Sequence, residues 1–104
     1  MIKGAQINLN NNDTITIDKY VFHKTCDAFP EQYDVYKGGK QVAYVRLRHG
    51  YLRVDVPECS GETIYEKEYP EDEWKGSFYT TEERFNELNN IVKVLKKYKM
   101  EKKK

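Results

Sequence analysis

Apolar and polar residues alternate at every second position along most of the chain, then switch near the C-terminus to a spacing of three and four. Ala5, Ile7 and Leu9 alternate with polar neighbours, the period of a half-buried strand, and "NNND" supplies turn chemistry after them. "TITIDKYVFHK" is rich in β-branched and aromatic residues and predicts one strand from Thr14 to His23. "CDAFPEQ" reads as a loop, because Pro30 forbids a helix through it. "YDVYKGGKQVAYVRLRHGYLRVDVP" then predicts three strands joined at Gly38-Gly39 and His49-Gly50. "ECSGE" is a turn, "TIYEKEY" a short acidic edge strand, and "PEDEWKGS" a loop.

"TTEERFNELNNIVKVLKKYKM" changes period. Thr80-x-x-Glu83 is a capping-box pattern, and Phe85, Leu88, Val92 and Leu95, joined by Ile91 and Tyr98, recur on one helical stripe. Acids open this segment and lysines close it, as the helix dipole favours. The expected architecture is α+β, an antiparallel meander sheet of about five strands packed against one C-terminal helix. It forms a single domain over residues 1–104, with N-terminal strands in 1–29, a central meander in 30–70, the helix in 80–99 and a frayed basic tail in 100–104.

Taking His49-Gly50 as a two-residue turn pairs Arg48 with Tyr51, Leu47 with Leu52, Arg46 with Arg53, Val45 with Val54 and Tyr44 with Asp55. Every aliphatic pair then falls on one face, and a slip by one residue would scatter them. The other face carries Tyr44, Arg46, Arg48, Tyr51, Arg53 and Asp55. Like charges directly across a ladder cost a few tenths to about 1 kcal/mol, so the Arg46–Arg53 pair calls for compensation. Asp55 on the same face could supply it, as could an external anion. Asp34 could too, provided a bulge near Gly38-Gly39 keeps Tyr33 and Val35 inside.

Net charge is +1 over 104 residues, yet the charge is laid out in blocks. Residues 37–53 hold three Arg, two Lys and no acid. Glu58, Glu62, Glu66, Glu68, Glu71, Asp72 and Glu73 then follow with Lys67 as the one base among them, and the C-terminus is lysine-rich. Guanidinium groups make two-pronged contacts with phosphates, and tyrosines stack on bases. The hairpin face Tyr44, Arg46, Arg48, His49, Tyr51 and Arg53 is therefore a candidate nucleic-acid or partner surface, with the helix lysines as a second electrostatic contact. The acidic block is the alternative partner face, a mimic of phosphates presented to another protein's basic cleft.

Catalytic signals are weak. His23 and His49 are the two histidines; His49 sits at a turn tip, and Ser60 in "CSGE" lacks a hydrolase elbow. No Gly-rich loop cradles phosphate. Cys26 and Cys59 leave three states open: free thiols, a disulfide, or metal ligands with His23 and a fourth donor such as Glu62. The C-x-x-C pairs of strong zinc sites are missing, and no metal or cofactor is assigned. Trp74, Phe78 and Tyr79 are expected to form a lid over the core, or else a partner-binding hot spot. No stretch of about 18 apolar residues is present, and "MIKGAQINLNNND" lacks the apolar run of a signal peptide. No membrane contact and a cytoplasmic location, with reduced thiols, follow as expectations.

The segment "EQYDVYKGGKQVAYVRLRHGYLRVDVPECSGETIYEKEYP", above all "RLRHG" and "GYLRVDVP", resembles small uncharacterised proteins carried by phages and mobile elements of Gram-positive bacteria. That resemblance implies a nucleic-acid binder or an inhibitor of host defence. "WKGSFYTTEERFNE" is similar to the last strand and helix entry of the plant ethylene-response-factor DNA-binding domain, where a three-stranded sheet reads DNA; here "VPECSGETIYEKEYPEDE" intervenes. The expected function is a non-catalytic binding protein engaging nucleic acid through the basic and aromatic sheet face. The alternative is a protein-binding inhibitor or adaptor directed at a host nucleic-acid-binding protein. Pairing of two copies through the Thr63 to Tyr69 edge is open as well.

Overall fold

The strands form one antiparallel sheet in which each pairs with its sequence neighbours. The computed structural model describes residues 5–7, 14–26 and 30–102, with side chains for 14–26 and 30–99. Its strands are β1 (Ala5–Ile7), β2 (Thr14–Ile17), β3 (Tyr20–Lys24), β4 (Glu31–Lys37), β5 (Lys40–Arg48), β6 (Tyr51–Val56) and β7 (Glu62–Glu68), followed by the helix α1 (Thr81–Lys102). Leu9 and the "NNND" turn lie outside the described residues. The expected α+β meander is the architecture found, with seven strands in the sheet among the described residues where about five were expected.

Much of that difference lies in the expected strand from Thr14 to His23, which is a hairpin. It turns at Asp18 and Lys19, with φ of 49° and 72°. Positive φ at both central positions is the type I′ geometry that matches the twist of paired strands. Asp tolerates it but Lys does so rarely, so no glycine marked the turn. The two marked turns follow the same geometry, at Gly38 and Gly39 (φ 62° and 80°) and at His49 and Gly50 (φ 53° and 69°).

The β5–β6 register is the expected one, from Tyr44 opposite Asp55 to Arg48 opposite Tyr51. The bulge needed near Gly38-Gly39 is present as a register shift after Val35, so Tyr33 faces Val45 and Val35 faces Ala43. Ile15, Ile17, Tyr20, Phe22, Tyr33, Val35, Ala43, Val45, Leu47, Leu52, Val54 and Val56 thus line one face. α1 lays Leu88, Ile91, Val92 and Leu95 across it, with Phe85 and Tyr98 half-buried at its margins. Complete burial of a Leu or Ile side chain contributes roughly 1.5–3 kcal/mol, so this one seam holds the two layers together.

Thr80 caps α1, its Oγ1 accepting from Glu83 N at 3.0 Å. The reciprocal arm differs from the usual box: the Glu83 carboxylate accepts from Tyr79 N at 2.7 Å. At its far end the helix runs to Lys102, through part of the stretch expected to fray. No described helix is long and apolar enough to cross a membrane.

Candidate functional site

The sheet face turned away from α1 is built in rows, because the register aligns one residue from each strand. One row runs Gln32, Arg46, Arg53, Glu66 across β4 to β7; the next, nearer the β5–β6 turn, runs Arg48, Tyr51, Glu68. A third runs His23, Asp34, Tyr44, Asp55, Thr63. The acidic strand therefore shares the arginine face. Tyr51 donates its hydroxyl to Glu66, and that bond raises the Tyr51 pKa above its ordinary value, ahead of slight burial and the Glu66 charge.

The three arginines differ in what they meet. Arg53 Nε lies 3.3 Å from Asp55 Oδ2, yet it makes no hydrogen bond although it is shielded from solvent; the contact is close but misaligned. Asp55 is buried and already accepts from Thr63 Oγ1 at 2.7 Å and Ser60 N at 3.2 Å. Arg46 and Arg48 make no ion pair among the described residues, and Arg48 is exposed. Half of the like-charge pair is therefore offset from within the chain.

Tyr44 was expected on the exposed face but is only 8% exposed. Its hydroxyl donates to Gln32 Oε1 at 3.2 Å. Burial raises its pKa. It supports the face rather than forming a contact surface, and Asp55 is likewise covered. Among the described residues, the lysines of α1 do not extend the patch. α1 lies on the opposite face, and Lys96 pairs with Asp18 at the β2–β3 turn.

The acids of β7 do not all project to one side. A second register shift, after Val54, leaves Ile64 unopposed on β7 and sets Glu62 opposite Val56. Glu62 accepts from Tyr98 OH of α1 at 3.2 Å, while Glu66 and Glu68 stay on the arginine face. Glu58, Glu71 and Glu73 are exposed, and Asp72 accepts from the Tyr79 hydroxyl.

The lid expectation holds for Phe78 alone. Trp74 is 76% exposed and Tyr79 65%. The Trp74 ring meets His49 edge-on at 5.9 Å between centroids, so sequence reasoning missed Trp74 as a neighbour of the hairpin tip. The loop bearing both rings is pinned at each end. Gly50 N donates to Lys75 O at 2.9 Å, Tyr69 N to Gly50 O at 2.8 Å, and Glu31 N to Gly76 O at 2.7 Å. Lys75 is buried, with its ammonium 3.6 Å from the Tyr79 ring centroid and 3.1 Å from Glu83 Oε2.

Two buried carboxylates anchor this region, and neither was anticipated. Glu31 accepts from Arg84 Nε at 2.6 Å, Arg84 Nη2 at 3.1 Å, Phe78 N at 2.9 Å and the Tyr33 hydroxyl. Burial alone would raise its pKa, but the Arg84, Tyr33 and Phe78 donors together hold it below the carboxylate range. Glu87 accepts from Tyr65 OH at 2.8 Å and Lys67 Nζ at 3.0 Å, with a similar outcome. Parity was the signal in the sequence: Glu31 falls in register with Tyr33 and Val35, which face inward.

Cys26 and Cys59 are not joined by a disulfide. No cluster of three potential ligands that could hold a metal occurs among the described residues. No family model, curated protein or solved structure matches the chain.

Proposed function

We propose that this chain is a non-catalytic binding module whose acidic, aromatic rim engages the basic surface of a nucleic-acid-binding protein. The observation that carries this reading is the exposure of Trp74 and Tyr79 on a loop fixed by backbone hydrogen bonds at both ends. Rigidly held Trp and Tyr side chains lose little entropy on binding and are enriched at interface hot spots. Glu71, Asp72 and Glu73 flank Trp74, with Glu82 and Glu83 close behind Tyr79. A basic partner is steered toward such a rim and a polyanion away from it.

Direct nucleic-acid binding through the sheet face is less well supported. Strands lie about 4.8 Å apart, so Glu66 and Glu68, two strands from Arg46 and one from Tyr51, sit within a Debye length of about 10 Å. A second copy is a poor occupant of the β7 edge. The β7 segment carries Glu62, Glu66 and Glu68, and a second copy would bring a second set of these carboxylates against them. If the chain is carried on a phage or mobile element, as the resemblance implies, occupying the cleft of a host nuclease would make it an inhibitor of defence.

The test is affinity capture from nuclease-treated extract with wild-type protein and a Trp74→Ala/Tyr79→Ala variant. The expected result is a nucleic-acid-binding protein held by the wild type alone and released by competitor DNA. Equal capture by both proteins refutes the rim. Salt-sensitive binding of bare nucleic acid, lost in Arg46→Ala/Arg53→Ala, refutes it in favour of the sheet face.

A further inference from the structure

We propose that Arg46 and Arg53 form a site for a single phosphate-type oxyanion on the open sheet face. The site is independent of the acidic rim and uses other residues. Its basis is the charge that the fold leaves unbalanced. The two guanidiniums stand directly opposite one another on β5 and β6, with Cβ atoms about 5 Å apart in such pairs. The flanking residues in that row are Gln32 and Glu66, and the Glu66 carboxylate is committed to the Tyr51 hydroxyl. Arg46 has no ion pair among the described residues.

Arg53 is held by charge rather than by direction. Its Nε approaches Asp55 Oδ2 at 3.3 Å without an aligned hydrogen bond, and the Asp55 oxygens have other donors in Thr63 and Ser60. Turning the guanidinium toward an anion therefore breaks no hydrogen bond of Nε. Two forks facing one tetrahedral dianion can each pair with two of its oxygens, and its two negative charges answer both guanidiniums, which a single carboxylate or chloride does not. Asp34 and Asp55 bound the site on one side, Glu66 and Glu68 on another. That boundary excludes a polyanion lying across the face but leaves room for one dianionic group.

The probes are inorganic phosphate and a phosphoserine peptide, titrated at constant ionic strength while the arginine Nε–H resonances are followed by NMR. The Arg46 and Arg53 signals are expected to shift saturably, while that of Arg84, bonded to Glu31, stays in place. Losing one charged donor set weakens binding by about tenfold or more, so Arg46→Gln should abolish saturation over the same range. Lys40→Gln, on the Gly38-Gly39 hairpin, should change the midpoint by less than about twofold. Arg53→Lys keeps the charge but loses the fork, and should weaken binding several-fold in a folded protein even if Arg46→Gln fails to fold. Tighter binding of the peptide than of phosphate identifies a phosphorylated side chain as the source; equal binding identifies free phosphate. Shifts that never saturate, or that persist unchanged in Arg46→Gln or Arg53→Lys, overturn the site.

Discussion

Replacing Glu31 by Ala should be among the most damaging single changes open to this chain. Glu31 is 1% exposed and takes four donors, from Tyr33, Phe78 and both faces of the Arg84 fork. Its removal leaves a guanidinium that is only a quarter exposed without its counter-charge. Breaking a buried ion pair from one side costs about 3–5 kcal/mol. Arg84 keeps a bond from Nη2 to Phe78 O at 3.1 Å and some contact with water, which places the loss at the lower end, about 3 kcal/mol. Native stability for a chain of this size is about 5–15 kcal/mol, and each 1 kcal/mol lowers Tm by roughly 4–8 °C. The midpoint should fall by roughly 12–24 °C, read by thermal and urea unfolding followed by far-UV circular dichroism. Glu31→Leu combined with Arg84→Met removes both charges and should recover much of the loss. A loss below about 1 kcal/mol for Glu31→Ala, or a double variant as unstable as the sum of its single changes, would show that the pair is not energetically coupled. The pH dependence follows with its sign: Glu31 and Glu87 are held below the ordinary carboxylate value of 4.5. Their contribution is therefore complete above that value and is lost as acid titrates them in the folded state.

Gly50→Ala should cost more than Gly38→Ala, since both adopt positive φ but only at Gly50 would a Cβ meet backbone, 2.5 Å from Asp72 O; strain alone is worth about 1 kcal/mol, and equal unfolding midpoints would contradict the packed turn. Burial raises the Tyr65 pKa, with the Glu87 hydrogen bond and charge adding to it, to about 12; stability should hold below the ordinary tyrosine value of 10.0 and fall as pH rises through the folded value, checked by urea titrations alongside phenolate absorbance. Trp74 is the one tryptophan, so its emission should be quenched by acrylamide in the folded protein almost as readily as in urea, and Trp74→Ala should change stability by less than about 0.5 kcal/mol. In phosphate-free buffer Arg46→Gln should stabilise by a few tenths to about 1 kcal/mol, because it relieves the pair with Arg53; destabilisation in urea unfolding would mean that Arg46 has a partner in the folded protein.

The parts of this fold legible in the sequence are those set by period and by glycine. Alternation from Tyr33 to Val56, with glycine at both turns, dictates the β5–β6 register, since any slip would put Val45, Leu47, Leu52 and Val54 in water. The Thr80 cap and the Leu88–Leu95 stripe likewise mark α1. Legibility failed where a residue did an unusual job. Lys19 takes a left-handed turn position that glycine would have signalled. Ile64 bulges out and sends Glu62 to the helix side. Lys75, in a run of acids and loop residues, is buried by contacts with Tyr69, Tyr79 and Glu83 that come together only after the chain has closed. For the candidate surfaces, alternation correctly assigned Arg46, Arg48, Tyr51 and Arg53 to one face. It carried no information on Trp74, because a loop has no period from which exposure can be read.

The two layers of the molecule imply what kind of contact it makes. α1 covers the apolar face, and the opposite face carries few aliphatic side chains, the half-buried Val21 among them, so no second layer is required for burial. A partner on that face gains little from the hydrophobic effect and must be held by hydrogen bonds and charge, a term that weakens with salt. Trp74 and Tyr79 are different, since together they offer exposed aromatic area on a loop pinned by backbone hydrogen bonds. Binding at the rim should therefore survive moderate salt through those rings, with the surrounding carboxylates governing the association rate. Raising ionic strength should slow association while leaving dissociation nearly unchanged, whereas Trp74→Ala should speed dissociation. The reverse pattern would assign the energy of the contact to the charges and the specificity to the rings.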